Sequence, residues 1–237
     1  MSSSRPLYDS IARIYDPWSQ SVTEDIGFYV GEAIASGGPV VELAVGTGRI
    51  AVPIAKAGIR VIGVDESAAM LEIARAYAGS LGVEALVDLR LGDVRDPPVT
   101  ERVPLVICPF RSLLHMQTED EKLQVLRGAQ ALLEPGGRFV FDVFSPSSED
   151  IAETDARWLE REPGIFERAD WDEAARTLRL SVRGADATAS FTLHWLDPDD
   201  WRGLLETAGF RVETVYGWFD RRPFEGGEDT IWVGVAA

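Results

Sequence analysis

The stretch VVELAVGTGRI, Val40 to Ile50, determines which fold the surrounding chain can adopt. Its two β-branched valines favour a strand, and that strand runs into an acid, Glu42. A turn of small residues follows, with glycines at positions 46 and 48, and RIAVPIAKAG after it has the composition of a helix. A strand, a glycine turn and a helix in this order are typical of folds that hold a nucleotide at the helix N-terminus.

The same alternation of strand and helix continues to about residue 145. The segments RVIGVD, ALVDLRLGD, VPLVICPF and RFVFDVF are further predicted strands. Helices are predicted from Arg49 to Ala57, from the cap Ser67 to about Ala78, and from the capping-box pattern at Thr118 to about Leu133, where PGG at 135–137 ends the helix. Five strands that alternate with helices predict an α/β fold with a doubly wound parallel sheet.

The pattern changes on both sides of this region. Residues 7–34 have helical spacing and divide near Pro17, and we expect 1–34 to form an N-terminal helical lid. After Pro146, TLRLSVR and TASFTLHW alternate apolar and polar residues, which predicts an antiparallel hairpin with one solvated face. A helix from Asp197-Pro198 to Ala208 and two strands, RVETVYGWF and TIWVGVA, complete the chain. The prediction is a single domain over 1–237 with a β-hairpin cap inserted at 146–196.

Composition limits the possible ligands and partners. The formal net charge of −16 makes nucleic acid and anionic membrane surfaces unfavourable partners, and it favours neutral or cationic small molecules. One cysteine, Cys108, and two histidines, His115 and His194, make a metal site improbable. The sequence has no apolar segment long enough for a signal or a membrane span, so the expectation is a soluble cytoplasmic protein, a monomer or homodimer.

Glu42 determines which ligand suits the glycine turn. Gly46 to Ala51 fits the G-x-G-x-x-A pattern of a dinucleotide site, where the turn binds a pyrophosphate. A carboxylate beside the turn would repel two phosphate charges, whereas it suits a ligand whose nearby end is cationic. S-adenosylmethionine, which carries a sulfonium and an ammonium and no phosphate, is the candidate that this arrangement favours.

Two further acids end the next strands of the predicted sheet. Asp65 follows Gly46 by about 20 residues, the usual spacing of an acid that binds ribose hydroxyls. Asp93 ends the third strand in the form LGDV, where its carboxylate could accept from an adenine amino group and the Val94 amide could meet a ring nitrogen. For Asp93, ordinary turn chemistry is the alternative.

In the order ELAVGTGR, GVDES, GDV and EPGGRFVFD, the chain resembles the class I S-adenosylmethionine-dependent methyltransferases over about residues 35–145. The resemblance implies a seven-stranded sheet whose last strand, TIWVGVA, is antiparallel. It also implies that Glu42, Gly46 and Gly48 contact the methionine part, that Asp65 binds the ribose, and that Asp93 and Val94 recognise the adenine. Ala44 stands where the family usually has its first glycine. Further candidate cofactor contacts are Tyr15, Ala44, Thr47, Glu66, Met70 and Pro109, although helical spacing favours Met70 as a core residue.

The acceptor side is predicted at the N-terminal helix and after the fourth strand. Tyr8 and Tyr15 either pack this helix onto the domain or reach the ligand with their hydroxyls. In PFRSLLHM, Arg111 could bind a substrate carboxylate or pair with a neighbouring acid, and His115 could accept a proton or be satisfied by the backbone. The candidate catalytic residues are therefore His115, Tyr15 and Arg111.

The predicted function is transfer of a methyl group from S-adenosylmethionine to a small-molecule amine or hydroxyl, without a metal. One alternative is an NAD(P)-dependent oxidoreductase on a Rossmann-like fold, although neither Lys56 nor Lys122 provides the tyrosine–lysine pair of short-chain enzymes. The other alternative is a non-catalytic module that binds S-adenosylmethionine.

Overall fold

The computed structural model describes residues 7–185 and 187–236, and within them the chain forms an α/β core with a second, smaller sheet. Residues 1–6 of the segment predicted as a lid, and Asp186 of the turn in the predicted hairpin, lie outside the described residues. Among the described helices, none combines the length and the apolar character needed to span a bilayer.

The helices are α1 (Ala12–Ser19), α2 (Glu24–Ser36), α3 (Ala51–Lys56), α4 (Ala68–Ser80), α5 (Glu119–Leu132), α6 (Ser148–Thr154) and α7 (Pro198–Thr207), with short 3-10 helices at Leu7–Ser10, Glu84–Leu86 and Ser112–His115. The strands of the first sheet are β1 (Val40–Leu43), β2 (Val61–Asp65), β3 (Val87–Leu91), β4 (Val103–Cys108), β5 (Leu133–Phe144), β10 (Phe210–Tyr216) and β11 (Asp229–Ala236). Those of the second sheet are β6 (Trp158–Glu162), β7 (Ile165–Asp172), β8 (Thr177–Arg183) and β9 (Thr188–His194).

The first sheet confirms the predicted architecture. Its strand order is β10-β11-β5-β4-β1-β2-β3, and β11 runs antiparallel to both of its neighbours. The pairs of β1 with β2 and of β1 with β4 are parallel, so the strand order reverses at β1. In open α/β sheets ligands bind at such a switch point, outside the carboxyl ends of the strands.

Alternate residues of the central strands pack into two separate buried clusters, one on each face of the sheet. Val41 and Leu43 belong to the cluster that contains α5 and the second sheet, whereas Val40 belongs to the cluster that contains α2 and α3. Strands covered on both faces read as continuous apolar runs, which explains why VPLVICPF and RVIGVD were recognisable in the sequence.

The second sheet is larger than the predicted hairpin. Strands β8 and β9 pair antiparallel as expected, and Phe191 and Leu193 of β9 are buried. Two further antiparallel strands, β6 and β7, extend the sheet to the order β6-β7-β8-β9. The hairpin prediction missed them because β6, WLERE, is an exposed edge strand whose side chains do not alternate in polarity.

Three boundaries differ from the sequence prediction. Pro17 lies inside α1, and the break between the N-terminal helices comes at 20–23. The helix tolerates Pro17 because the missing N–H removes only one hydrogen bond, and α1 ends two residues later. The helix α5 ends at Leu132 before PGG is reached. Leu133 already pairs with Val103 and is buried, so the strand begins there and PGG forms an irregularity within β5. Asp197 precedes α7 but makes no side-chain cap bond, because its carboxylate pairs with Arg176 instead.

Candidate functional site

The turn after β1 has a left-handed backbone at three of five successive positions. The φ angles are +58° at Ala44, +55° at Gly46 and +81° at Gly48. A Cβ atom at Gly48 would lie 3.1 Å from Val52 and 3.3 Å from Ala74, so this glycine allows the turn to pack closely against α3 and α4. A Cβ atom at Gly46 would meet no heavy atom within 4 Å, so the backbone there borders open space.

Asp65 connects this turn to the start of α4. Its Oδ2 accepts a hydrogen bond of 2.8 Å from the amide of Gly46, and its Oδ1 accepts one of 2.8 Å from the amide of Ser67. Burial raises the pKa of Asp65, although both backbone hydrogen bonds oppose the shift. Each carboxylate oxygen has two lone pairs, so these bonds leave capacity to accept from ligand hydroxyls.

Glu42 is a buried carboxylate with an unsatisfied oxygen. Only 2% of the residue is exposed, and no donor among the described residues reaches its Oε2. Burial raises the pKa of Glu42 well above its usual value, despite the nearby charge of Arg49. The guanidinium of Arg49 is engaged by Asp25, with distances of 2.8 and 2.5 Å to its two carboxylate oxygens. A buried acceptor without a donor is costly unless a bound group satisfies it, so the role of Glu42 beside the cationic end of a ligand stays a prediction.

The acid at the end of the third strand is held by its own neighbour. Asp93 accepts from the Arg95 amide at 2.8 Å and from the Arg95 guanidinium at 2.6 to 3.0 Å. The other side of that guanidinium pairs with Glu121 at 2.8 Å. The predicted partner Val94 is partly buried against the core. Asp93 thus makes the local turn contacts that are the alternative to an adenine-binding role. Its side chain remains 40% exposed.

Other candidate contacts differ in their accessibility. Glu66 is exposed at the same sheet edge, next to Asp65. Met70 is 1% exposed and its amide donates to the cap hydroxyl of Ser67, in agreement with a core position. Pro109, directly after β4, is buried, and its carbonyl accepts from the Ser112 hydroxyl at 2.7 Å.

The N-terminal segment lies against these strand ends through two acids. Asp9 accepts from the Ser67 hydroxyl at 2.6 Å and from the Ala69 amide at 3.3 Å. Asp16 of α1 accepts from the hydroxyl of Thr47 at 2.5 Å. Residues of the segment predicted as a lid therefore contact both the glycine turn and the N-terminus of α4.

Tyr15 of α1 packs against the loop after β4. Its ring packs edge-on against Tyr8, with 5.9 Å between centroids, and against Phe110 at 6.3 Å. Burial raises the pKa of Tyr15, so its hydroxyl stays protonated at neutral pH.

His115 is brought into direct contact with the other N-terminal tyrosine. The hydroxyl of Tyr8 lies 2.9 Å from Nε2 of His115, and the ring of Phe191 from the second sheet packs 5.2 Å from the imidazole. Burial, together with the charge of Lys122, lowers the pKa of His115 to about 4. The imidazole is therefore neutral at pH 7 and forms a hydrogen-bonded pair with Tyr8.

Tyr8 and His115 border a cavity of about 520 Å³ between the first sheet, the second sheet and the N-terminal helices. Eight aromatic side chains line it, and these are Tyr8, Trp18, Phe110, Phe144, Trp171, Phe191, Trp218 and Phe219. Eight carboxylates also line it, namely Glu24, Asp25, Asp142, Asp150, Glu153, Glu167, Glu228 and Asp229. The only arginines along its walls, within the part of the chain described, are Arg111 and Arg161.

Arg111 pairs with an acid of its own chain. Its Nη2 lies 2.7 Å from Oδ1 of Asp229, and its guanidinium lies 4.9 Å from the centre of the Phe144 ring. This pairing is one of the two roles weighed for Arg111 from the sequence. An arginine whose charge is already matched is a weaker site for a substrate carboxylate than a free one.

Comparisons with known proteins agree with this fold. A family model described as a methyltransferase domain matches residues 40–137. The cypemycin N-terminal methyltransferase of a Streptomyces species is 28% identical over 196 residues, which are 79% of this chain and 78% of that protein. The demethylmenaquinone methyltransferase of Symbiobacterium thermophilum is 27% identical over 224 residues, which are 90% of this chain and 86% of that protein.

Solved structures give the same result. The CcbJ methyltransferase of Streptomyces caelestis superposes with a TM-score of 0.79 and 29% identity over 90% of this chain and 96% of its own. An S-adenosylmethionine-dependent methyltransferase of Clostridium acetobutylicum has a TM-score of 0.80 over 97% of this chain and 99% of its own, and at 15% identity it shows the fold alone. These similarities support the assignment of the chain as a class I S-adenosylmethionine-dependent methyltransferase.

Sequence reasoning missed two buried polar residues, Asp142 and Lys122, and the partial burial of His194. Asp142 in β5 faces the cavity, and Lys122 of α5 lies 3.1 Å from Nδ1 of His194 in β9. His194 is partly buried, although the alternation of TASFTLHW places it on the polar face of the hairpin, where exposure is expected. The sequence signal for the burial of these residues was weak. It consisted of one acid inside the apolar run RFVFDVF and of one of only two lysines in the chain.

The lowered pKa of His115 predicts a specific pH dependence of stability. Between its pKa of about 4 in the folded state and about 6.5 in the unfolded state, the unfolded chain binds more protons, so acidification favours unfolding. We expect the free energy of unfolding to fall more steeply for the wild type than for His115→Asn as the pH is lowered from about 7 to about 5. Urea denaturation at both pH values measures this difference, and equal slopes for the two proteins would contradict the neutral, buried state of His115.

Proposed function

We propose that this enzyme transfers the methyl group of S-adenosylmethionine to the nitrogen of a small-molecule amine bound in the acidic, aromatic-lined cavity. The observation that carries the choice of an amine is the charge of the cavity walls. Both lining arginines are already paired, Arg111 with Asp229 and Arg161 with Glu167 at 3.1 Å. Asp25 is paired with Arg49, so five lining carboxylates leave a negative surplus. Negative potential and aromatic faces together attract an organic cation.

The names of the relatives do not identify this acceptor. One refers to an N-terminal methyltransferase and the other to demethylmenaquinone, which are chemically different acceptors. The assignment of an amine therefore rests on the cavity, and a hydroxyl acceptor is the outcome that the experiment below distinguishes.

For the cofactor, we propose that Glu42 faces the cationic methionine end, with the backbone of Ala44, Gly46 and Gly48 beside it. Asp65 would bind the ribose hydroxyls, since its two oxygens already lie at the junction of the glycine turn and α4. The adenine would lie near Asp93 and Val94, where the Asp93 carboxylate would have to share its lone pairs with Arg95. Thr47, Glu66, Met70 and Pro109 remain predicted neighbours of the cofactor.

The bound cofactor supplies an electrophilic methyl group, so the chain need not provide a covalent nucleophile. The residues of the chain bind and align the acceptor and exclude water, which lowers the entropic cost of an in-line displacement. Tyr8 and His115 border the cavity as a neutral hydrogen-bonded pair, and we propose that they orient the amine. Tyr15 would lie beside the methyl group, on the side of the N-terminal helices. Arg111 would fix the position of Asp229 in the acidic wall of the cavity through their ion pair.

The acceptor class can be tested with a panel of compounds that share one carbon skeleton. Cyclohexylamine, cyclohexanol and cyclohexanecarboxylate, together with N-methylated and larger amines, are incubated with trideuteromethyl-labelled S-adenosylmethionine, and products are identified by mass spectrometry. We expect label on amines alone, because the cavity attracts cations and repels carboxylates. Glu228→Gln should raise KM for the accepted amine several-fold, because Glu228 lines the cavity. Glu84→Gln should leave KM unchanged, because Glu84 is an exposed acid on the 3-10 helix Glu84–Leu86. Label only on hydroxyl or carboxylate compounds would overturn the amine assignment.

The role proposed for Asp65 predicts the effect of removing its carboxylate. Asp65→Ala should weaken binding of S-adenosylmethionine by at least tenfold, because two ribose hydroxyls lose a charged acceptor, worth roughly 1.5–3 kcal/mol. Isothermal titration calorimetry measures the affinity. Asp88→Ala is a suitable control, since Asp88 is an acid on the neighbouring strand β3 whose partners are Arg60 and Arg90 at the surface. Unchanged affinity in Asp65→Ala would refute the ribose role.

We also propose that the N-terminal segment, predicted over 1–34, acts as a lid over the cofactor. The contacts of Asp9 with Ser67 and of Asp16 with Thr47 support this role, because they attach the segment to two loops that would border the cofactor. A lid of this kind would slow the release of product by covering its exit.

The lid predicts faster product release when its attachment is weakened. Asp16→Ala removes the acceptor of the Thr47 hydroxyl, so we expect the dissociation rate of S-adenosylhomocysteine to increase several-fold. Stopped-flow displacement with excess unlabelled ligand measures this rate. Arg13→Ala changes an exposed position on the same helix and should leave the rate unaltered. If Asp16→Ala releases product at the rate of the wild type, the segment does not act as a lid through this contact.

A further inference from the structure

The loop after β4 contains two adjacent residues in a conformation that side chains disfavour. Phe110 has a φ of +59° and Arg111 a φ of +60°, and neither is glycine. A residue with a Cβ is disfavoured in this left-handed region, because the Cβ approaches the following carbonyl oxygen. Such backbone persists only where surrounding contacts determine it, and it is concentrated at functional sites.

The amides of both residues donate to one carboxylate, while the Pro109 carbonyl accepts from the amide and the hydroxyl of Ser112 across the turn. Asp142 accepts from the amide of Phe110 at 2.8 Å through Oδ1 and from the amide of Arg111 at 2.9 Å through Oδ2. The hydroxyl of Tyr29, from α2, donates to Oδ1 at 2.5 Å. Strand pairing makes this possible, because Cys108 of β4 lies opposite Phe141 of β5 and so places Asp142 beside the turn.

Asp142 is well suited to accept these bonds and poorly placed to do other chemistry. It is 6% exposed, and its two oxygens already accept three hydrogen bonds. Burial, assisted by the charge of Asp25, raises the pKa of Asp142 to about 6. The hydrogen bonds from Tyr29 and the Phe110 amide and the charge of Arg111 oppose this rise. The group is therefore mostly an acceptor-only carboxylate at neutral pH.

The two strained residues then point to different parts of the site. The ring of Phe110 lies 4.6 Å from the guanidinium carbon of Arg49 and packs against Tyr15, on the side of the glycine turn. Arg111 reaches Asp229 at 2.7 Å, on the acidic wall of the cavity. The left-handed backbone at both positions thus accompanies side chains that contact opposite sides of the site.

We propose that Asp142 is a positioning residue that holds the Phe110–Arg111 turn in its left-handed form and thereby joins the cofactor side of the site to the acceptor cavity. The meaning of this role for methyl transfer rests on the proposed function. The effect of Asp142 on the conformation of the turn is independent of that function, and it can be measured without any acceptor or cofactor.

The first test compares glycine with alanine at position 111. Both Arg111→Gly and Arg111→Ala remove the guanidinium, but only glycine adopts a φ of +60° without strain. With Asp142 present, we expect Arg111→Gly to have a roughly fivefold higher ratio of folded to unfolded protein in urea than Arg111→Ala. In the Asp142→Asn background the turn can relax, so this advantage of glycine should disappear.

Tyr29→Phe serves as the matched control for general destabilisation. It removes a buried hydrogen bond to Asp142 but leaves both amide bonds of the turn in place, so the advantage of glycine over alanine should persist. An equal advantage in the Asp142→Asn background, or no advantage in the protein that retains Asp142, would overturn the proposal. Neither result would bear on whether the enzyme methylates an amine.

Limited trypsin digestion reports on the side chain of Arg111 directly. We expect Asp142→Asn to speed cleavage after Arg111 at least tenfold, because a relaxed turn releases the guanidinium from Asp229. Cleavage after Arg157, an exposed residue after α6, is the internal reference and should keep its rate. Parallel changes at both sites, or no change at Arg111, would contradict a local role of Asp142.

Discussion

The carboxylate of Asp65 is the contact on which the arrangement of the cofactor side depends. It accepts one amide from the turn after β1 and one from the start of α4, so it fixes the ends of two neighbouring strands relative to each other. Asp142 does the same for the ends of β4 and β5, where it accepts the amides of Phe110 and Arg111. In both places a buried acid satisfies backbone donors that a loop leaves unpaired, which is a general requirement of buried loops.

Acids therefore do more in this protein than raise its net charge. Glu42 and Asp25 lie near the glycine turn, and the carboxylates of the cavity continue this negative region towards Asp229. A cationic cofactor and a cationic acceptor would repel each other at short range, and fixed carboxylates between them would offset that repulsion. The unsatisfied oxygen of Glu42 is the clearest sign of such a function, because a buried acceptor without a donor is costly in a site that binds nothing.

The sequence predicted the parts of the fold whose signals are local. The strand and the turn around Glu42 and the cap Ser67 could be recognised because a few consecutive residues determine each. The edge strand β6 could not be, since a strand of five mostly exposed residues shows no alternation. The role of Asp142 was also beyond reach, because its partner Phe110 is 32 residues away and the pairing depends on the register of β4 with β5. Local patterns thus predicted the strand and turn around Glu42, whereas the cavity is built from distant segments.

The geometry also changes the role that fits His115. An alkylammonium has a pKa of about 10, so its proton would have to move uphill by roughly six pKa units to reach an imidazole whose pKa is about 4. His115 is therefore a poor base for the acceptor, whatever its position in the cavity, and its hydrogen bond with Tyr8 is the property that the structure supports. An acidic cavity stabilises the cationic form of an amine, yet only the neutral form can attack the methyl group. An amine in this site would therefore have to lose its proton before methyl transfer, and Glu228, whose burial raises its pKa, is one of the carboxylates that line the cavity.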